Sequence, residues 1–464
     1  MKLQLTLTEE QHKALYEHLF PGDGLEAVAF IICGHAQGTA RHRLLVKEVI
    51  LLPYDQCERH RDRVSWSTDS ILSLLERAEV EGASIIKVHS HPQGFPRFSE
   101  VDNESDRQLL PTIRSWIEAD VPHGSAIMLP DGRIIARYLW RGRSLKEFDG
   151  VNVVGSSLQF WWKGDGDSNG CEFGQSHDQA FGEGTTKRMR RLRVAVVGAS
   201  GTGSLVIEQL ARLGVGHLVL IDDDKVEERN LNRILFATAN DAKNNVAKVL
   251  SAARDIKRKG LKTKVTPIIA TVQTSEAVRA IAQCDVLFGC VDTAHGRFIM
   301  NLAASHYLLP YFDVGVLLDA QQEGEGRGGI KDILGTVHYM VPGRSSLLTR
   351  DHFTLEDVRA EGLHKNDPVA ALQQVEDKYI KGLQVRRPAV ISVNMFAASI
   401  AVNDFLARVH PYRKIPNSDI ASIEFSLGDP RLTWDQEVET CMTMNQCVGY
   451  GDRKPLLGLM EMGV

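Results

Sequence analysis

Two histidines and an aspartate have the types and spacing of a metal site. The segment reads His89-Ser90-His91-Pro92-Gln93-Gly94-Phe95-Pro96-Arg97-Phe98-Ser99-Glu100-Val101-Asp102, and it follows the short run Ile85–Val88. Strand residues at i and i+2 point to the same face, so His89 and His91 present their imidazoles together. Pro92 stops the strand, and Asp102 is placed to close a triangle. Two imidazoles and a carboxylate form a three-ligand zinc set with a fourth position for water, whose pKa bound zinc lowers to about 7. Hydrolysis there needs a nearby carboxylate to take and return a proton. A His-x-His pair alone is ordinarily a strand pair facing solvent. The whole string points to the metal.

A second constellation occupies residues 194–301. Strand-like Arg193–Val197 leads into Gly198-Ala199-Ser200-Gly201-Thr202-Gly203 and then a helical pattern. Gly198, Gly201 and Gly203 let the backbone approach a phosphate at the positive end of a helix. The next strand, Leu218–Ile221, is followed by Asp222, where an acidic residue would hold a ribose hydroxyl. So far NAD and ATP fit equally well.

HSHP-x6-S-x2-D, over residues 89–102, resembles the signature of the JAMM (MPN+/JAB) metalloproteases, with coverage of roughly residues 1–150. Those enzymes hydrolyse isopeptide or peptide bonds next to ubiquitin-like modifiers. The resemblance implies that His89, His91 and Asp102 bind Zn2+. It makes Glu26, ahead of Ala27-Val28-Ala29-Phe30-Ile31-Ile32-Cys33-Gly34, the general acid/base, with Glu48 as competitor. It makes Ser99 the stabiliser of the oxyanion, against the alternative of a helix-capping serine.

Asp222-Asp223-Asp224-Lys225-Val226-Glu227-Glu228-Arg229-Asn230-Leu231-Asn232-Arg233 resembles the D-x-D-x-V-E-x-x-N-L-N-R string of the ThiF/MoeB and ubiquitin-activating superfamily. These proteins adenylate the C-terminal carboxylate of a ubiquitin-like protein. Val291-Asp292-Thr293 with Arg297 and Asn301, and Pro388 to Asn394, extend the likeness over most of residues 178–464. The resemblance implies ATP and Mg2+. It sets Arg233 and Lys248 (Lys243 being the alternative) at the phosphates, with Asn230 helping and Asp292 on magnesium. Cations offset the charge that builds as a carboxylate attacks the α-phosphate and pyrophosphate leaves.

Four departures accompany that likeness. Ser200 stands where glycine is common, and Asp178 where arginine is expected upstream of the first strand. No CxxC follows Pro342-Gly343, and Cys441 and Cys447 alone cannot complete a four-thiolate zinc site. No cysteine lies between Cys290 and Cys441, so the thioester nucleophile of relatives is missing. Cys290 itself reads as a buried small hydrophobe.

Positioning these residues requires two domains in a chain of 464 residues. The expected division is residues 1–162 as a mixed α/β JAB/MPN-type metallopeptidase domain, 163–187 as a Gly/Asp/Ser-rich linker, and 188–464 as a doubly wound, Rossmann-like ThiF-type domain. In the first, Ala27–Cys33, Leu44–Leu52 and Ile85–Val88 read as strands, Thr68–Val80 as a helix, and Pro130-Asp131-Gly132-Arg133 as a hairpin turn. In the second, Val194–Val197, Leu218–Ile221, Val265–Ile269 and Val286–Phe288 read as strands, with Ser204–Leu213 a helix. The stretch 319–335 reads as an excursion.

The composition, 43% hydrophobic and 24% charged, is that of an ordinary globular chain and excludes one that is mainly disordered. A formal charge of −5 gives no reason to expect nucleic acid or a membrane surface as partner. No apolar run has the roughly 18–20 residues that span a bilayer. The start MKLQLTLTEEQHK lacks a secretory signature. Seven scattered cysteines suggest a reducing cytoplasm.

Together the resemblances imply one ubiquitin-like carrier protein as the partner of both halves, trimmed or released by one and adenylated by the other. They also imply a separate conjugating-enzyme-like protein and a homodimer through the adenylating domain. The rival readings are a sulfur-carrier activator for cofactor biosynthesis and a modifier-binding scaffold with one inactive site. An NAD oxidoreductase is disfavoured because the N-L-N-R string is foreign to the dinucleotide fingerprint.

Overall fold

Ala27, Ala29, Ile31 and Cys33 face one apolar cluster, while Val28, Phe30 and Ile32 face another. Strand β2 (Val28–Ala36) is therefore covered on both sides, which is why its sequence is apolar throughout. The computed structural model describes residues 1–164, 174–182, 184–321, 329–366 and 389–462. Residues 165–173 and 183 of the expected linker, 322–328 of the excursion, the crossover 367–388 with Pro388, and Cys171 lie outside the described residues. The chain forms two compact units: Met1–Gly166 with His306–Leu308 and Val448–Leu457, and Asp167–Ser305 with Leu309–Cys447 and Gly458–Val464.

The sheet of the first unit runs β11-β10-β1-β3-β2-β6-β7-β8-β9. Its strands are β1 (Lys2–Thr8), β2, β3 (Arg41–Leu51), β6 (Ser84–Ser90), β7 (His123–Met128), β8 (Ile134–Leu139), β9 (Lys146–Glu147), β10 (Gly150–Val154) and β11 (Gln159–Trp162). A separate hairpin pairs β4 (Cys57–Arg59) with β5 (Val64–Trp66). Helix α1 (Glu9–Leu19) covers one face through Leu15 and Leu19. Helices α2 (Leu72–Glu81) and α3 (Glu100–Trp116) cover the other through Leu74, Leu75, Leu110 and Ile113. On β6, Ile86 and Val88 join the α1 side and Ile85 the α2/α3 side. Alternation therefore turns Lys87 and His89 toward α3 as well.

The segment Val448–Leu457, expected with the second domain, belongs to the first unit. Asp452 N–H donates to the carbonyl oxygen of His35 at 2.6 Å. A Cβ at Gly449 would collide with the carbonyl oxygen of Val46, and one at Gly451 with that of His35. The Lys47 ammonium lies 4.2 Å over the Tyr450 ring.

The second unit opens with α4 (Gln175–Phe181) and α5 (Thr185–Arg191), inside and beyond the stretch expected to be a linker. Thr186 ties them, donating from its N–H and its hydroxyl to Asp178 Oδ1 at 3.0 and 3.1 Å. Its sheet runs β14-β13-β12-β15-β16-β17-β18-β19. Strands β12 (Arg193–Val197), β13 (His217–Ile221), β14 (Lys264–Ile268), β15 (Val286–Gly289) and β16 (Tyr311–Gln321) are parallel. β17 (Gly329–Met340), β18 (Ser422–Ser426) and β19 (Arg431–Asp435) continue antiparallel. The strand order reverses between β12 and β15, the crevice where open α/β sheets take ligands. The connecting helices are α6 (Gly201–Arg212), α7 (Ala239–Lys243), α8 (Lys248–Lys259), α9 (Ser275–Ile281), α10 (Ala294–Tyr307), α11 (Leu355–Asn366) and α12 (Ile391–Val409). No helix among the described residues is long and apolar enough to cross a membrane.

Candidate functional site

The metal-type triad assembles where β6 ends and α3 begins. Nε2 of His89 lies 3.2 Å from Nε2 of His91 and 2.8 Å from Asp102 Oδ1, and Nε2 of His91 lies 3.4 Å from Asp102 Oδ2. Ligands bound to zinc at about 2.0–2.1 Å in a tetrahedron stand about 3.3 Å apart, so the donor set fits that ion. All three side chains are buried. Backbone pairing fixes the histidines: His89 is opposite Val28 on β2, and His91 N–H donates to the carbonyl of Met128 at 2.9 Å. Burial alone would raise the Asp102 carboxyl, but hydrogen bonds from His89, His91 and Ser99 outweigh it and hold the group well below the carboxylate range.

Glu26 approaches from the other strand. Ser90 N–H donates to the carbonyl of Ala27 and the Ser90 hydroxyl accepts from Ala27 N–H, at 3.1 and 2.9 Å. Continued one step, that register sets Glu26 across from His91 on the α3 side. Glu26 is 5% exposed. Burial, chiefly, pushes its carboxyl up to about 7, with Asp102 and Asp62 adding to the rise and His91 and Lys87 opposing it. The competitor Glu48 instead pairs with Arg77 at 2.9 Å on the surface.

Ser99 is the N-cap of α3. Its hydroxyl accepts from Asp102 N–H at 3.1 Å and donates to Asp102 Oδ2 at 2.8 Å, and its own N–H donates to the same oxygen at 2.7 Å. This is the helix-capping alternative read from the sequence, and here it also orients the carboxylate. Three further residues, not identified in the sequence, hold α3 in place. Asp106 is fully buried between Lys87 Nζ at 2.7 Å and Arg137 Nη2 at 2.6 Å. Arg137 also donates to the carbonyl of Asp102 at 3.0 Å, and its guanidinium covers the Phe98 ring at 3.7 Å. A lysine inside an apolar strand is the one sequence signal that points to them.

In the second unit, Gly198 has φ 91°, and a Cβ there would come 2.5 Å from the carbonyl oxygen of Cys290, so only glycine suits this turn. A Cβ at Gly203 would collide with the carbonyl oxygen of Gly198. Ser200 occupies the N-cap of α6 without a side-chain hydrogen bond to the helix. Asp222 braces the turn, its Oδ2 accepting from Ala199 N–H at 2.6 Å and its Oδ1 from Asp224 N–H at 2.8 Å. Burial raises the Asp222 carboxyl, opposed by Lys248. Lys248 is buried at the start of α8, with Nζ 2.6 Å from Asp224 Oδ2. Lys243 is exposed at the end of α7. Arg233 lies against the first turn of α6, its Cδ 3.3 Å from where a Cβ on Gly201 would stand. Asn230 is buried and spends its side-chain oxygen on Glu227 N–H at 3.0 Å, closing a local turn. Asp292 is exposed beyond β15, and the acidic ligand atoms brought together here are those of Asp222, Asp223 and Asp224.

Six described cysteines carry free thiols. Cys441 and Cys447 are both buried, and burial pushes the Cys290 thiol well up. The turn after Pro342-Gly343 is joined to the later chain by hydrogen bonds. Cys441 N–H donates to Arg344 at 3.0 Å, and Arg350 bridges Ser345 at 2.9 Å and Glu437 at 3.2 Å.

The family model for prokaryotic homologs of the JAB domain matches residues 8–138, and that of the ThiF family matches residues 175–381. The chain is a JAB domain fused to a ThiF-family domain. The zinc-type triad and Glu26 thus fall in the JAB domain, and the glycine turn, Asp222, Arg233 and Lys248 in the ThiF domain. Adenylyltransferase and sulfurtransferase UBA4 of Yarrowia lipolytica is 36% identical over 121 residues, covering 26% of this chain and 30% of that protein. Ubiquitin-like modifier-activating enzyme 5 of Drosophila willistoni is 33% identical over 142 residues, covering 28% and 34%. The chain spans about a third of the length of these curated relatives. A crystal structure of E. coli MccB with ATP aligns at 16% identity over 61% of this chain and 76% of that one, with a TM-score of 0.43.

Proposed function

We propose that this protein processes and activates a ubiquitin-like protein. The ThiF domain adenylates the carrier's C-terminal carboxylate with ATP, and the JAB domain is a zinc-dependent peptidase or isopeptidase acting beside that same C-terminus. The observation that carries this reading is the convergence of His89, His91 and Asp102 beside Glu26, in a chain whose ThiF domain gathers Asp222, Arg233 and Lys248 around the opening of α6.

In the JAB domain, His89, His91 and Asp102 would hold zinc, which supplies Lewis acidity toward water and a carbonyl oxygen. Glu26, poised near neutrality by burial, accepts the proton of the attacking water and returns it to the leaving amine. Ser99 keeps Asp102 oriented and is close enough to the triad to donate to a developing oxyanion if its hydroxyl turns.

In the ThiF domain, the amides at the start of α6 receive phosphate oxygens, and Asp222 holds the ribose. Arg233 and Lys248 offset charge as a carrier carboxylate oxygen attacks the α-phosphorus and the bond to pyrophosphate breaks. Asp292 would supply a carboxylate to Mg2+. The acyl-adenylate then passes to a nucleophile on a separate conjugating-enzyme-like protein in the cytoplasm, with the ThiF domain acting as a homodimer.

Two assays on the full chain test this reading: carrier-dependent exchange of pyrophosphate into ATP, and cleavage of a carrier extended beyond its C-terminus. Both activities are expected with the same carrier. Exchange alone leaves the JAB domain as an inactive docking module, and absence of both removes the proposal.

A further inference from the structure

Asn394 stands in the first turn of α12, and this helix lies along α6. A Cβ on Gly201, the first residue of α6, would collide with Asn394 Nδ2. Helical Cα–Cβ bonds tilt toward the N-terminus, so this amide nitrogen sits beside the opening turn of α6. There the first backbone N–H groups have no carbonyl four residues earlier to bond. Ser200 provides no side-chain cap, and the Arg233 side chain approaches the same point.

Asn394 is 3% exposed. Its side-chain amide makes no hydrogen bond among the described residues. The amide keeps contact with solvent rather than being sealed in, and helix packing alone would be served as well by an apolar residue of similar size. Free backbone donors, a waiting neutral amide and an arginine stem around one bare glycine make a place for an anion.

We propose that Asn394 is a nucleotide-binding residue, donating its side-chain amide to a phosphate oxygen of a nucleoside triphosphate held at the N-terminus of α6. The inference rests on the adenylating reading of the ThiF domain. It adds a donor from a helix far along the chain from the glycine turn, and it explains why Gly201 carries no side chain. A neutral donor suits this position. An aspartate of the same shape would oppose the phosphates with its charge.

The test is calorimetric titration of the full-length protein with ATP and, separately, with adenosine, for the wild type, N394A and N394D. ATP binding should weaken about 10-fold in N394A and more in N394D. Adenosine binding and the melting temperature should stay near wild type in N394A. Equal ATP affinity in wild type and N394A overturns the inference, as does an equal loss for ATP and adenosine, which marks a packing role. If N394D does not fold, N394A decides alone by the same criteria. A wild-type protein that binds no ATP overturns the adenylating reading, and this inference with it.

Discussion

His91 donates its Nδ1 proton to the carbonyl oxygen of Phe95 at 2.8 Å. A carbonyl can only accept, so Nδ1 carries a proton, and Nε2 is the ring atom that faces His89 and Asp102. The Pro92–Pro96 loop therefore fixes the His91 ring. The full-length protein should carry about one zinc per JAB domain. Metal analysis of a His89→Ala/His91→Ala double variant should find essentially none, and zinc retained there would end the assignment.

Glu26→Gln should keep the metal and lower cleavage by about 10²–10⁴-fold, the usual contribution of a general acid/base. Undiminished turnover would move the proton transfer elsewhere.

The same carboxyl predicts a pH effect in chelator-treated protein. Its folded pKa, about 7, lies above its ordinary value of 4.5, so the folded state holds this proton more tightly than the unfolded chain. The stability it contributes is present below about pH 4.5 and lost as pH rises through about 7. Denaturant unfolding at pH 5 and pH 8 should show a larger fall in wild type than in Glu26→Gln. Equal falls would contradict the burial argument.

Removing Asp106 strands Lys87 and Arg137 as buried cations with no carboxylate between them. Asp106→Ala should destabilise the protein by about 3–5 kcal/mol, read by denaturant unfolding, and weaken zinc binding as α3 loosens. A change below about 1 kcal/mol would mean the network is solvated in solution.

Lys248→Met should lower carrier-dependent pyrophosphate exchange by about 10²–10³-fold, comparable to losing one donor to developing charge. Lys243→Met should leave it unchanged, and the reverse result would exchange the roles of the two lysines.

Thioester chemistry needs an accessible thiolate. Cys441 and Cys447 are buried, and the Cys290 thiol is pushed up by burial. Incubation with ATP and the carrier, followed by a gel without reductant, should give no enzyme–carrier band. A reductant-sensitive band that vanishes in Cys441→Ala/Cys447→Ala would show that this chain carries its own nucleophile.

Local pattern made the central strands legible. Ala27–Cys33 and Val194–Val197 are apolar on both faces, and the structure buries them that way. Helix α6 begins at Gly201, ahead of the expected Ser204, because glycines of the turn also serve as the helix's first residues. The Gly/Asp/Ser composition of 163–187 hides α4, which is fixed by Asp178 bonding to Thr186 in the next helix. Lys87 is visible as an anomaly on an apolar strand, but its partner lies 19 residues away and that partner's arginine 31 residues further. Asn394 enters the sequence reading only as the end of a likeness to a closing helix, because its place beside Gly201 depends on another helix.

The segment Val448–Leu457 belongs to the first unit. During synthesis the ribosome releases β1 to β11 long before this segment appears, and at ordinary elongation rates the delay is on the order of tens of seconds. Through that interval the carbonyls of His35 and Val46 await the close approach of Gly449 and Gly451. The first unit reaches its final form only when the ThiF domain has been made, so a prematurely truncated chain lacks the last piece of that unit.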